Sequence, residues 1–217
     1  VFLFLDLPQQ VTLLPAFAHT ISLFMVRHMS KKSILYYAGP GEVNSDQTLQ
    51  EAKRRADELG ITDIVVASTR GTTAMQAVEV FTGYNLVVVP HVTGLREPGV
   101  QEMSEEVQAK VRAAGGKLVV ATHAFSGVDR AIQARFDTMY PAGIIAQTLR
   151  MFGQGMKVVV EIVAMAADAG VIPVDKDVVA IAGTGRGADT AVVIKPANAH
   201  RLFDMVIKEI IVKPSSL

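Results

Sequence analysis

The feature that most constrains this chain is a phrase that occurs three times in succession. A short apolar run rich in β-branched residues gives way to a loop of Gly, Ser, Thr or His, and then to a stretch with apolar residues at helical spacing. It is clearest over Thr62–Met75, where Ile64–Ala67 reads as a buried strand and Ser68–Thr73 as a loop, and Ala74, Met75, Ala77, Val78 and Phe81 share one helical face. It returns at Leu86–Pro90, followed by His91, Thr93 and Gly94 and by a helix capped by Ser104. The third occurrence is Leu118–Ala121, followed by Thr122, His123, Ser126 and Gly127 and a short helix over Val128–Arg135. Consecutive βα units predict a parallel sheet with right-handed crossovers, so the loops that follow the strands share one edge.

The flanking segments extend this plan. Ile34–Ala38 reads as a first strand, and after Gly39-Pro40-Gly41 the spacing of Asn44 and Gln47 predicts a helix start. That helix buries Leu49, Ala52, Ala56 and Leu59 and ends at Gly60. A second helical region opens at Pro141 with Ile144, Ile145, Thr148, Leu149 and Phe152 inward. Met156–Ala169 reads as a mostly buried helix, although Lys157–Val160 also suits a strand. The chain returns to β-structure at Val178–Ala182 and Thr190–Lys195, either side of the loop Gly183–Asp189, and Met205–Val212 is expected as an edge strand. The fold class is therefore α/β: a three-layer α/β/α sandwich, its sheet mostly parallel with antiparallel strands at the C-terminal end.

At 217 residues, half of them apolar, the chain is long enough for one large domain, expected over residues 29–217. Val1–Met25 carries a single charge, Asp6, and is interrupted by Pro8 and Pro15, so it is a poor membrane span. Ala16-Phe-Ala18 resembles a signal cleavage site, but no basic segment precedes it. Residues 1–28 are thus expected to be an apolar extension outside the fold. Met29-Ser-Lys-Lys reads as a natural start, and a cytoplasmic location is expected. Basic and acidic residues balance at 21 each, which gives no reason to expect nucleic acid or an anionic membrane as a partner. The absence of cysteine removes disulfides, thiolate nucleophiles and thiolate-held metals. No His ligands have metal-motif spacing. A largely apolar helix near Met156 and the edge strand near Val206 leave a homo-oligomer open.

Chemistry concentrates in two loops. A helix starting near Gly71 would aim unpaired N–H groups and a partial positive charge at the crevice, where Ser68, Thr69, Thr72 and Thr73 add hydroxyls and Arg70 a charge. Two readings stand here, an ordinary helix cap or a phosphate site. The second loop holds Gly183, Thr184, Gly185, Arg186, Gly187, Ala188, Asp189 and Thr190. Gly183-x-Gly185-x-x-Ala188 loosely fits a dinucleotide fingerprint, but a strand follows it instead of a helix, and no Lys-Ser or Lys-Thr pair makes it a nucleotide-triphosphate loop. Its backbone N–H groups and Arg186 can still meet an anion. His91, Thr93, Gly94 and His123 fall near the rest of such a ligand. Glu161 is a charge in an apolar element, either a paired structural carboxylate or a ligand contact. With His123 it is a candidate for handling protons, and neither is assigned a role.

Val65-Val-Ala-Ser-Thr-Arg-Gly-Thr-Thr-Ala74 and Val178-Val-Ala-Ile-Ala-Gly-Thr-Gly-Arg-Gly-Ala-Asp-Thr-Ala-Val-Val193 together resemble the C-terminal α/β domain of pyruvate kinase. In that domain a Ser/Thr-Gly loop and a late glycine-rich loop form a sugar-phosphate effector site. The chain looks closer still to stand-alone archaeal and bacterial proteins of this fold. The resemblance covers roughly Ser33–Pro214 and includes Glu161-Ile-x-x-Met165-Ala-Ala-Asp168 and Lys208-Glu-Ile-Ile211. Structures of such proteins are associated with FMN, which implies FMN as cofactor, held by the two loops together with His91, Thr93, Gly94 and His123. It implies a binding module for a phosphorylated small molecule, with a flavin-dependent oxidoreductase and a sugar-phosphate-responsive regulatory module as alternatives. The barrel that carries pyruvate kinase catalysis has no counterpart in this sequence, so phosphoryl transfer to or from pyruvate is not expected.

Overall fold

The computed structural model describes residues 31–216, and the expectation for residues 1–28 lies outside them. Seven strands form one sheet: β1 (Leu35–Tyr37), β2 (Asp63–Ala67), β3 (Asn85–Val89), β4 (Lys117–Leu118), β5 (Val178–Ala182), β6 (Thr190–Lys195) and β7 (Val206–Pro214). Their order across the sheet is β1-β7-β6-β5-β2-β3-β4. Only β6 runs against the others, since it pairs antiparallel with both β5 and β7 while every other pairing is parallel. The segments that follow β1, β2, β3, β4 and β5 therefore emerge along one edge, as the repeated βα phrase predicts.

Among the described residues six α-helices cover the faces: α1 (Ser45–Leu59), α2 (Thr72–Val80), α3 (Glu105–Ala113), α4 (Val128–Phe136), α5 (Pro141–Arg150) and α6 (Gln154–Asp168). Strand alternation divides the core into two layers. Ile64, Val66 and Val88 join Leu49, Ala52 and Ala56 of α1 and Ala74 and Ala77 of α2 on one face. Val65, Val87 and Ala180 join Val159, Val163 and Ala166 of α6 on the other. The outcome is the expected α/β/α sandwich. Central strands that are apolar on both sides, such as β5 with all five residues buried, are what burial between two helical layers requires. Among the described residues no helix is long and apolar enough to cross a membrane.

Four local expectations change. Asn44 stands just before α1 but does not cap it; its side-chain amide donates to Gly39 O at 2.9 Å and ties down the preceding turn. Leu59 of α1 is 43% exposed, and Ile144 of α5 and Phe152, just past its end, face outward while Ala146 is buried. Strand β4 pairs only over Lys117–Leu118, after which Val119 N–H still reaches Val88 O and the chain runs on without a ladder. Finally β7 is internal, between β1 and β6. Its charges disguise this: Glu209 receives two hydrogen bonds from Arg55 of α1, at 2.7 and 2.8 Å, and Lys208 meets Asp177 at 2.8 Å. Both features that left a homo-oligomer open, the apolar helix α6 and strand β7, thus find partners within the chain.

Candidate functional site

At the carboxyl edge of the sheet lies a crevice of about 740 Å³, lined by the loops that follow β1 to β5 and by one side of α6. Its size falls in the range of small-molecule sites. Of the residues the sequence singles out, Ser68, Thr69, Arg70, Thr72, Thr73, His91, His123, Gly183, Gly185, Arg186 and Gly187 line it. Gly71, Thr93, Gly94, Thr184, Ala188, Asp189 and Thr190 do not, and each has another task.

The loop after β2 is built to expose backbone donors. Ser68 is buried, and its Oγ accepts from Ala74 N–H at 3.1 Å, satisfying the third N–H of α2 from outside the helix. The cap and the anion site were competing readings of this segment, and Ser68 takes the capping role. Gly71 precedes the helix with φ +102°, and a Cβ there would lie 2.2 Å from Val107 Cγ1 of α3. Packing against α3 demands this glycine. Among the described residues nothing accepts from the backbone N–H groups of Arg70, Thr72 or Thr73, which leaves the start of α2 with free donors beside the hydroxyls of Thr69, Thr72 and Thr73.

The loop after β5 is built the other way. Asp189, fully buried, accepts from Gly41 N–H and Thr184 N–H, each at 3.0 Å, and from the Thr190 hydroxyl at 2.8 Å. Ala188 N–H donates to Ser45 Oγ at 2.8 Å, and the Thr48 hydroxyl donates to Ala188 O at 3.2 Å. Gly187, at φ +74°, comes so close to the turn before α1 that a Cβ would lie 2.4 Å from Glu42 Cα and from Ser45 Oγ. This loop is a clamp between β5, β6 and the start of α1; its tip, Gly185 and Arg186, is exposed and lines the crevice together with the half-buried Gly183 and Gly187.

The loops after β3 and β4 contribute the two histidines. His91 Nδ1 lies 2.6 Å from Glu102 Oε2, and its Nε2 lies 3.2 Å from Thr69 Oγ1. Glu102 Oε1 faces Arg96 Nε at 3.1 Å, an ion-pair distance without hydrogen-bond alignment. The His91 carbonyl accepts from Gln101 Nε2 at 2.9 Å, and Gln101 Oε1 accepts from Met103 N–H at 3.0 Å, which fixes the backbone on either side of Glu102. Thr93 serves this loop too, its hydroxyl accepting from Gln101 Nε2 at 3.3 Å. Gly94, at φ +85°, forms a turn packed against Gly99. His123 Nε2 accepts from Val92 N–H at 3.2 Å, so the neutral ring carries its proton on Nδ1 and donates toward Ser126 Oγ, also at 3.2 Å. Burial holds His123 below the usual imidazole range; Glu161 opposes that, while His91, Lys157 and Arg130 reinforce it.

Lys157 and Glu161, one turn apart on α6, form a buried ion pair on the crevice wall. Glu161 Oε1 also accepts from Phe125 N–H at 2.9 Å. Burial pushes the Lys157 ammonium below the usual lysine range, Glu161 pulls it back, and Arg150 and Arg130 add to the lowering. Glu161 is therefore both a paired structural carboxylate and part of the crevice. Sequence reading missed Glu102, whose distance of eleven residues from His91 fits no local pattern, and the arginines 96, 130 and 150 that face the crevice from three different segments. Among the described residues Arg70, Arg130, Arg150 and Arg186 have no carboxylate partner, so a chain of zero net charge gathers positive charge here. No cluster suited to a metal occurs among the described residues.

The family model described as pyruvate kinase, alpha/beta domain, matches residues 46–194. Among solved structures, Cryptosporidium parvum pyruvate kinase in complex with ADP aligns with 13% identity and a TM-score of 0.38, covering 84% of this chain and 27% of that one. The chain thus spans about a quarter of the length of that enzyme.

Proposed function

The chain belongs to the pyruvate kinase α/β domain family, and on that premise we propose that it binds a phosphorylated small molecule, FMN, with the phosphate at the Ser68–Thr73 loop. One observation carries this reading: the backbone N–H groups of Thr72 and Thr73, at the positive end of α2, have no acceptor among the described residues, and both residues line the crevice. A phosphate dianion is the acceptor such a set suits, and the Thr72 hydroxyl with Arg70 and Arg186 supplies side-chain and charge-assisted donors around it.

The rest of the crevice suits a flat heterocycle with a polar edge. Val89, Pro90 and Leu95 line one part and Val158, Ile162 and Met165 of α6 another, while His91 and His123, their ring nitrogens held within the protein, add ring surface. Bound FMN would supply hydride and single-electron chemistry, and the protein's share would be binding and orientation. The reading makes the module a flavin binder first; a flavin-dependent oxidoreductase is the extension that turnover of the bound flavin by a nicotinamide donor would support.

The test is a paired titration of the purified chain with FMN and with riboflavin, followed by flavin fluorescence. Two or three charge-assisted hydrogen bonds to the phosphate predict FMN binding tighter by at least ~100-fold. Equal affinity for the two flavins would remove the phosphate from the site. Failure of both to bind, with thermal stabilisation by a sugar phosphate, would transfer the loop to the regulatory reading.

A further inference from the structure

Thr69, His91 and Glu102 form a continuous hydroxyl–imidazole–carboxylate relay on the crevice wall. The two links, 3.2 Å from Thr69 Oγ1 to His91 Nε2 and 2.6 Å from His91 Nδ1 to Glu102 Oε2, are both within the reach that joins a nucleophile to its base and a base to the group that orients it. We propose that this relay hydrolyses small carboxylic esters, with Thr69 as nucleophile, His91 as general base and Glu102 as the residue that positions His91. This goes beyond flavin binding and does not rest on it.

The proton inventory sets the direction of the relay. A carboxylate cannot donate, so the hydrogen between Glu102 and His91 belongs to Nδ1. Neutral His91 then turns the lone pair of Nε2 toward Thr69, whose hydroxyl donates to it. The loop after β3 is braced for this, because Gln101 holds the His91 carbonyl and the Met103 N–H on either side of Glu102, and Arg96 faces the second carboxylate oxygen. Ser68, one residue earlier, is not available for the role, since its oxygen already accepts from Ala74 N–H. Thr69 stands between strand β2 and helix α2, followed by Arg70, whose backbone N–H has no acceptor among the described residues. The N–H of the residue after a nucleophile at a strand-to-helix turn is a donor suited to a developing oxyanion.

The reaction balances without a cofactor. Thr69 Oγ1 attacks the ester carbonyl as its proton passes to His91 Nε2. The tetrahedral oxyanion collapses, the bond to the alcohol oxygen breaks, and the proton on His91 leaves with the alcohol. A water molecule then gives a proton to His91, attacks the acyl-threonine carbonyl and releases the acid, and the proton returns to Thr69.

The experiment uses p-nitrophenyl acetate, which carries no phosphate, so its outcome is separate from that of the flavin titration. The full chain is expected to release nitrophenolate above the buffer rate and, on rapid quench and peptide mapping, to carry one acetyl group on Thr69. Thr69→Val and His91→Gln should each reduce turnover by at least ~1000-fold and Glu102→Gln by ~100-fold or more. Turnover no faster than buffer, acetyl found only on lysine, or full activity in Thr69→Val would each overturn the proposal. Should Thr69→Val fail to fold, the position of the acetyl group in the unaltered chain decides the question alone.

Discussion

The loop after β2 and the loop after β5 both line the crevice and both carry the glycines and hydroxyls of an anion site, yet they spend their backbone groups differently. Between Gly183 and Thr190 the N–H groups of Thr184, Arg186, Ala188 and Asp189 are consumed inside the protein, and Asp189 also collects Gly41 N–H and the Thr190 hydroxyl, while the N–H groups of Gly183, Gly185 and Gly187 have no acceptor among the described residues. Around Ser68–Thr73, Val89 O takes Ser68 N–H and Ser68 Oγ takes Ala74 N–H, while the N–H groups of Arg70, Thr72 and Thr73 have no acceptor among the described residues. Glycine content therefore marks close backbone approach, to α3 at Gly71 and to the turn before α1 at Gly187. What marks a ligand site is the donors left over.

Removing the buried carboxylate of the clamp is the harshest way to probe this contrast. Asp189→Ala strands three donors at once and should destabilise the fold by about 3–5 kcal/mol in a urea titration. A loss below ~1 kcal/mol would mean the loop is not a clamp. Gly187→Ala combines a positive φ with contact against Glu42 Cα and should cost about 2–4 kcal/mol in the same assay. On the open loop the stake is smaller: Ser68→Ala removes one cap and leaves Ala74 N–H buried, for about 1–2 kcal/mol.

The loop after β4 stands between the two extremes, because a titratable side chain satisfies its donor. His123 accepts Val92 N–H through Nε2, and burial holds its folded pKa below the unfolded value. The unfolded chain thus binds the extra proton first, so this contribution is complete above about pH 6.5 and is lost as pH falls through the depressed folded value. Thermal melts from about pH 7.5 down to 5 should show declining stability. His123→Asn should flatten that decline, and an unchanged slope in the variant would assign it to other groups.

The same contrast explains what could be read before the structure. The three βα phrases and the turn glycines were enough for the sandwich, because period-2 and helical spacing survive in any single window. The Ser68–Thr73 loop was legible because a hydroxyl-rich turn between strand and helix is a local pattern. Strand β7 was not, since its place in the sheet depends on β1, from the far end of the chain, and on Arg55 neutralising Glu209. Glu102 was hidden for a related reason: its partner His91 lies across a long loop that Gln101 folds back. Asp189 was placed among ligand contacts because it closes a glycine-rich loop, and the sequence does not reveal that Gly41 is a group it holds.

The most direct test of the central claim is calorimetric titration of FMN into Thr72→Glu. Thr72 is exposed at the first turn of α2, where a carboxylate favours the helix dipole and leaves the fold intact while occupying the space and charge of a phosphate. FMN affinity is predicted to fall by at least ~100-fold with the melting temperature unchanged or raised. FMN bound as tightly by Thr72→Glu as by the unaltered chain would contradict the account.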